Sequence, residues 1–176
     1  MRSFFGWILL IGGLSVALVG LCDAGVAWLS QHPLMYDSST GVALPPGFAA
    51  RLSMPRLDSS LYVVEAKHAR DLRRGPGYIQ GSVKPGDPGN CIIAGHRDLH
   101  FRVLKDIRVG DEIELDTARG HFTYRVAATE VVSATDRNAL KAVYPRQLTL
   151  VTCFPFYYVG RAPKRFIVTA YPLEHF

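Results

Sequence analysis

A cysteine, a histidine and an arginine each lie at one end of a predicted β-strand, and these three side-chain types can together perform acyl transfer through a thioester. Cys153 follows the β-branched run of residues 148–152. Arg165 lies in the next apolar run, beyond a loop rich in proline and glycine. His96 comes directly after another apolar run and a glycine. Neighbouring strands would bring the three side chains to one end of a sheet.

The residue types suit the chemistry because attack on a carbonyl carbon requires a thiolate. With reference pKa values of about 8.5 for a cysteine and 6.5 for a histidine, only about one molecule in a hundred holds both thiolate and imidazolium at pH 7. Arg165 stays charged at every physiological pH and can favour the thiolate without supplying a proton. Its planar guanidinium can also bind an oxyanion through two N–H groups. We therefore expect Arg165→Lys to impair turnover more than folding.

The remaining cysteines indicate neither a disulfide framework nor a metal site. Cys22 falls in an apolar N-terminal segment, whereas Cys91 lies in an apolar strand, where a cysteine usually packs as a small hydrophobic residue. Cys91, His96 and His100 lack the second close pair of ligands that zinc sites carry. We therefore expect no metal and no cofactor.

Strand patterns dominate the chain after residue 50, and no long helical pattern appears after residue 75. Residues 111–116 alternate between acidic and apolar side chains and are followed by a turn and a long strand, which predicts a hairpin. About eight strands with only short helices predict an all-β fold, an eight-stranded barrel that is closed or partly closed. The strands that we place cover residues 51–57, 61–66, 91–94, 111–116, 121–133, 148–153 and 165–171, and a short helix covers 67–74.

The N-terminal segment predicts a transmembrane helix. Residues 3–22 carry no charge and, at about 1.5 Å per residue, match a hydrocarbon core of about 30 Å. Arg2 precedes them and no Lys or Arg occurs from residue 3 to 50, which predicts a single-pass membrane protein with a cytoplasmic N-terminus and an extracytoplasmic domain. A cleaved signal peptide is the main alternative, while a lipoprotein acylated at Cys22 fits poorly. The resulting division is an anchor over 1–34, a linker over 35–50 and a domain over 51–176.

The net charge of +5 does not indicate nucleic-acid binding. The basic residues are scattered, and their one tight cluster, Arg70, Arg73 and Arg74, fits a solvated helix face. We expect no nucleic-acid partner, and the anchor makes anionic lipid headgroups or cell-envelope polymers the natural anionic partners.

An ordered series of short motifs resembles the signature of the sortases, which are membrane-anchored cysteine transpeptidases. The upstream part includes the string Ala-Gly-His-Arg-Asp over residues 94–98, and the downstream part is Thr-Leu-Val-Thr-Cys over 149–153 followed by Arg165. The sequence around residues 153–165 is most similar to the class D group. The resemblance implies a sortase-type eight-stranded barrel and the cleavage of an LPXTG-like sorting signal near the C-terminus of partner proteins, with transfer to an amine of the cell envelope.

The resemblance also implies a role for particular residues. Cys153 becomes the nucleophile, His96 the acid and base, and Arg165 the cation that holds the substrate and stabilises the oxyanion. The residues that it places against the substrate are Thr152, Ala94 and Phe154.

Several alternatives remain open at this point. Asp98 either orients His96 or hydrogen-bonds the loop that presents it. The aromatic residues at 154–158 form either a wall for the peptide or part of the core. The same Cys, His and Arg set also fits a peptidase that uses water as acceptor, and a non-catalytic peptide-binding barrel is a third class. Pilus assembly is the weaker alternative to protein anchoring, because the linker over residues 35–50 carries no Asp-Pro-aromatic motif of the kind that forms a lid over the active site.

Overall fold

Eight β-strands close into a barrel in the computed structural model of the protein. The strands follow one another around the barrel in the order β1-β2-β3-β4-β7-β8-β6-β5. They are β1 Phe48–Met54, β2 Ser59–Ala66, β3 Gly77–Ile79, β4 Gly89–Ala94, β5 Glu112–Thr117, β6 Gly120–Ser133, β7 Arg146–Phe154 and β8 Lys164–Pro172. The structure describes residues 21, 22, 25, 28, 31, 44–136, 138–141, 146–158 and 160–173.

Alternation along the strands fills the barrel interior with apolar side chains. In β5, Ile113 and Leu115 are fully buried, whereas Glu112 points to solvent. β5 and β6 pair as the predicted hairpin, with Thr117 opposite Gly120 at its tip. Because one face of each strand meets the core, the period of two in the sequence also sets which side chains point inward.

The topology brings the ends of three strands together. β4 and β7 run parallel, with Ala94 opposite Val151, so both strands end at the same end of the barrel. β8 runs antiparallel to β7 and begins there, with Cys153 opposite Arg165. The predicted all-β barrel is confirmed, and the last two strands of the chain pair with each other.

The differences from the sequence prediction concern short elements. β1 begins at Phe48, three residues before the predicted start of the domain at 51. The three-residue strand β3 was not predicted, because a strand this short leaves no alternation to detect. The short helices are 3-10 helices, whose few residues per segment likewise leave little pattern. They cover Pro55–Leu57, Ala69–Arg73, His100–Asp106 and Asn138–Leu140.

Gln31, one of the few described residues before residue 44, docks on β2. The Gln31 side chain accepts a hydrogen bond from the Tyr62 amide and donates to the carbonyl oxygens of Tyr62, at 3.0 Å, and Arg74, at 2.9 Å. β3 pairs with β2 only from Val64 onward, so the amide of Gln31 takes the place of a strand neighbour at Tyr62. A Cβ atom at Gly75 would lie 2.5 Å from Gln31 Nε2, so this docking requires a glycine there.

The predicted membrane anchor over 3–22 lies outside the described residues, apart from residues 21 and 22. Within the described part of the chain, no helix has the length and apolar character needed to cross a membrane.

Candidate active site

The segment after β4 is fastened to β7 through both backbone groups of one glycine. Gly95 donates its N–H to the Val151 carbonyl oxygen at 3.1 Å. Its own carbonyl oxygen accepts a hydrogen bond from Thr152 Oγ1 at 2.7 Å. His96 is the next residue, so these two bonds fix its backbone beside the strand that carries Cys153.

A buried phenylalanine explains why residue 95 is a glycine. A Cβ atom built at Gly95 would lie 2.7 Å from the ring of Phe101, which is itself fully buried. The carbonyl oxygen of His96 accepts hydrogen bonds from the amides of Leu99, at 3.3 Å, and Phe101, at 3.0 Å. The chain therefore turns back tightly after β4, and Phe101 packs beneath the turn that presents His96.

Cys153 and Arg165 face each other across the β7–β8 pair. Both residues are partly exposed. Arg165 Nη1 donates to the carbonyl oxygens of Ala162, in the preceding loop, at 3.2 Å and of Lys164, the first residue of β8, at 2.9 Å. The backbone that precedes Arg165 therefore holds its guanidinium. The strand register thus delivers a thiol and a fixed cation to one place.

A cavity of about 400 Å³ lies at this end of the barrel and brings the predicted catalytic residues together. Three arginines and one aspartate contribute charge to its walls, so the cavity favours negative charge. A carbonyl oxygen that gains negative charge during attack by a thiolate would be stabilised in such surroundings. The lining residues are His96, Arg97, Asp98, Ala134, Cys153, Gly160, Arg161, Ala162 and Arg165.

The other predicted site residues occupy different surroundings. Thr152, Ala94 and Phe154 are not among the described residues that line this cavity. Thr152 is 2% exposed, and its hydroxyl is directed at Gly95. Asp98 does line the cavity, but the hydrogen bonds of the described residues include none between its carboxylate and the His96 ring.

The aromatic residues after Cys153 divide into two groups. Phe154 stacks on Phe166 of β8, and Phe156 meets the Phe166 ring edge-on, with centroids 5.4 Å apart. Tyr157 is 72% exposed and Tyr158 is 47% exposed. The structure therefore places the phenylalanines in a packed cluster and leaves the tyrosines at the surface beside the cavity.

Arg97 contributes more to the site than the sequence indicated. Arg97 lines the cavity beside the predicted catalytic residues. Its Nη2 atom donates to the carbonyl oxygens of Tyr158, at 2.6 Å, and Gly160, at 3.2 Å. The one sequence signal for this role is its place next to His96, and the loop that it reaches lies about sixty residues further along the chain.

The buried cysteine behaves as predicted. Cys91 is 1% exposed in the core, and burial, together with the negative charge of Asp87, raises the pKa of its thiol to about 12. Such a thiol is neutral at neutral pH and is not a nucleophile. Among the described residues, no group of three or more His, Cys, Asp or Glu side chains is arranged to hold a metal ion.

Comparison with known proteins gives a consistent result. A family model described as a sortase domain matches residues 52–173. Sortase D of Bacillus subtilis (strain 168) is 36% identical over 118 residues, which are 66% of this chain and 60% of that protein. Sortase SrtE1 of Streptomyces coelicolor is 29% identical over 128 residues, which are 62% of this chain and 36% of that protein. The matched region therefore spans less than two thirds of either relative.

Solved structures show the same fold. Sortase A from Corynebacterium diphtheriae superposes with a TM-score of 0.66 at 30% identity, covering 76% of this chain and 63% of that chain. A Clostridium perfringens Sortase D5 transpeptidase has a TM-score of 0.66 at 22% identity, covering 85% of this chain and 99% of that chain. The second similarity concerns the fold alone.

Proposed function

The chain belongs to the sortase family and is class D-like, and from that premise we propose that it is a membrane-anchored cysteine transpeptidase. We propose that it cleaves an LPXTG-like sorting signal and transfers the new carboxyl end of the partner protein to an amine of the cell envelope. The observation that carries this proposal is the shared cavity, in which Cys153 and its strand partner Arg165 meet His96.

In the proposed acylation step, the Cys153 thiolate attacks the scissile carbonyl carbon and a carbon–sulfur bond forms. The carbonyl oxygen takes the negative charge, which Arg165 stabilises. The carbon–nitrogen bond then breaks, and His96 gives its proton to the leaving amine. The product is a thioester between the partner protein and Cys153.

In the second step, the incoming amine attacks the thioester carbon while His96 takes up a proton from it. The carbon–sulfur bond breaks, and the thiolate of Cys153 is regenerated. Water in place of the amine would give the hydrolytic product of a peptidase, so the acceptor alone distinguishes the two activities. A barrel that only binds peptides would form no thioester.

We also propose that residues 3–22 anchor the protein in the cell membrane, with the barrel on the extracytoplasmic side. The support is the uncharged run of that segment and the positive charge that precedes it. This location would place the cavity in the compartment that holds both sorting signals and envelope amines.

Mass spectrometry of the full chain in detergent tests the proposed reaction. The chain is incubated with LPXTG, LPXTA and LAXTG peptides, with and without a small amine, alongside the variant Cys153→Ala. We expect a covalent adduct on Cys153 that the amine converts to an aminolysed peptide. Cys91 provides an internal control, because its buried thiol, with a pKa of about 12, is expected to stay unmodified.

Each result has a definite meaning. An adduct that resolves only by hydrolysis, whatever the amine, would favour the peptidase alternative. An adduct that persists in Cys153→Ala would contradict the assignment of the nucleophile. The absence of any adduct with all three peptides would overturn the proposed signal class.

A further inference from the structure

The loop between β7 and β8 is held by two guanidinium groups that approach it from different parts of the chain. Arg97, in the segment after β4, donates to the carbonyl oxygens of Tyr158 and Gly160. Arg165, at the start of β8, donates to that of Ala162. Hydrogen bonds from charged donors are roughly twice as strong as neutral ones. The loop is therefore fixed on the His96 side by Arg97 and on the β8 side by Arg165.

Other contacts of Arg97 point to the same loop. Its guanidinium carbon lies 5.7 Å from the centroid of the Tyr158 ring, which adds a cation–π contact. Both hydrogen bonds and the ring contact of Arg97 therefore go to the β7–β8 loop, and together they tie that loop to the segment after β4.

The held loop forms part of the cavity wall. Gly160, Arg161 and Ala162 all line the cavity, and the carbonyl oxygen of Ala162 is one of the two acceptors that position Arg165. A shift of the loop would therefore move the guanidinium of Arg165 with it. Arg97 follows His96 directly in the chain, so the same contacts also fix the distance between the His96 segment and the Arg165 loop.

We propose that Arg97 is a positioning residue, which sets the place of Arg165 by clamping the β7–β8 loop against the segment that carries His96. Arg97 acts on the reaction through the loop and through Arg165. This inference rests on the proposed function where turnover is concerned, whereas the clamp itself is a property of the folded chain.

The chain offers a matched control for this role. Arg102 lies over the ring of the neighbouring Tyr157 at the same centroid distance of 5.7 Å. The described hydrogen bonds include none from Arg102 to the carbonyl oxygens of the loop, and Arg102 does not line the cavity among the described residues. Arg102→Gln therefore removes one charge and one cation–π contact, as Arg97→Gln does, but leaves the clamp intact.

Kinetics of the full chain in detergent provide the first test. A displacement of about 1 Å at a reacting group can reduce a rate about 100-fold. We expect Arg97→Gln to lower the single-turnover rate constant for formation of the Cys153 adduct by about 10- to 100-fold, with Arg102→Gln within about twofold of wild type. Arg97→Lys keeps the charge and the donors, so we expect it to recover most of the loss.

A double-mutant cycle tests whether the effect passes through Arg165. In the background of Arg165→Gln, adding Arg97→Gln should lower the residual adduct rate by less than about threefold. A full 10- to 100-fold loss in that background would overturn the coupling to Arg165. Equal rates for Arg97→Gln and Arg102→Gln would overturn the positioning role.

Hydrogen exchange separates failure of the clamp from failure of the proposed function. Peptide fragments that cover residues 155–163 should exchange faster in Arg97→Gln than in wild type or Arg102→Gln, whether or not the protein turns over any substrate. Equal exchange in the two variants would overturn the clamp. If the wild-type protein forms no adduct but exchange in the loop still depends on Arg97, the proposed reaction is overturned, and with it the part of Arg97 in that reaction. The clamp would stand.

Discussion

Replacement of Thr152 by valine tests whether this side chain positions the active site or contacts the substrate. In the structure, the Thr152 hydroxyl lies 2.7 Å from the Gly95 carbonyl oxygen. The isosteric Thr152→Val change puts a methyl carbon in place of that oxygen, and carbon–oxygen contacts of this kind lie at about 3.3 Å or more. The Gly95 carbonyl must then move by about 0.6 Å, and His96 is attached directly to it.

The expected cost in stability follows from the lost hydrogen bond. Leaving a buried carbonyl oxygen unsatisfied costs about 1–3 kcal/mol. For a domain of this size, each kcal/mol corresponds to roughly 3–5 °C in the melting temperature. We expect Thr152→Val to lower the melting temperature by about 3–15 °C and to reduce turnover per folded molecule by about tenfold or more, because His96 shifts relative to Cys153.

Thr149→Val is a matched control on the same strand. Thr149 is also fully buried, and its hydroxyl donates to Asn90 Oδ1 at 2.7 Å and accepts from Gln147 Nε2 at 2.9 Å. The control should therefore lose at least as much stability in thermal unfolding. Its turnover per folded molecule, measured by peptide cleavage at a temperature where all variants are folded, should remain close to that of wild type.

A second variant decides the cause of any defect in Thr152→Val. Thr152→Ser keeps the hydroxyl and removes the methyl group, so we expect turnover within about threefold of wild type. Wild-type turnover in Thr152→Val, together with the drop in melting temperature expected for one lost hydrogen bond, would contradict the positioning role. Equal loss of turnover in Thr152→Ser and Thr152→Val would also contradict it, because the methyl group and not the hydroxyl would then support turnover, as direct substrate contact predicts.

Two further predictions concern contacts outside the cavity. The hydrogen bond from Arg56 is the largest of the effects that hold the pKa of Asp111 below its usual range. The ionised Asp111 therefore stabilises the fold at a pH above its unfolded pKa of about 3.9, and this stabilisation disappears as the pH falls through the lower pKa of the folded state. Asp111→Asn should therefore lower the urea midpoint of unfolding at pH 7 and reduce the difference between the midpoints at pH 7 and pH 3. A difference equal to that of wild type would contradict this. Gln31→Ala should speed exchange of the Tyr62 amide several-fold, while the Val64 amide, which donates to a backbone carbonyl, keeps its rate; equal changes at both amides would indicate general loosening of β2 instead of a lost side-chain contact.

The strands that the sequence predicted well are those with a clear local pattern. Glu112–Thr117 and Gly120–Ser133 alternate, and the structure pairs them in the predicted hairpin. Gly77–Ile79 was not predicted, because a strand of three residues is too short to show alternation between apolar and polar side chains. Its pairing depends on neighbours that lie many residues away in the chain.

The candidate site likewise contains residues that the sequence predicted and contacts that only the structure shows. Cys153, His96 and Arg165 were predicted from their residue types and their places at the ends of apolar runs, and the structure brings all three to one cavity. The assignment of Thr152 to the substrate came from family resemblance, whereas the structure directs its hydroxyl at Gly95. Substrate contact by Thr152, Ala94 and Phe154 stays a prediction.

The sequence by itself determined the residue types that can do chemistry, the order of the strands along the chain and the inward-facing positions, because these depend on side-chain chemistry and short-range periodicity. The tertiary structure decided that β4 runs parallel to β7, that Thr152 bonds the residue before His96, and that Arg97 reaches the loop before β8. These contacts join segments about sixty residues apart. Their geometry is fixed by closure of the whole barrel around one packed core, which no local stretch of sequence specifies.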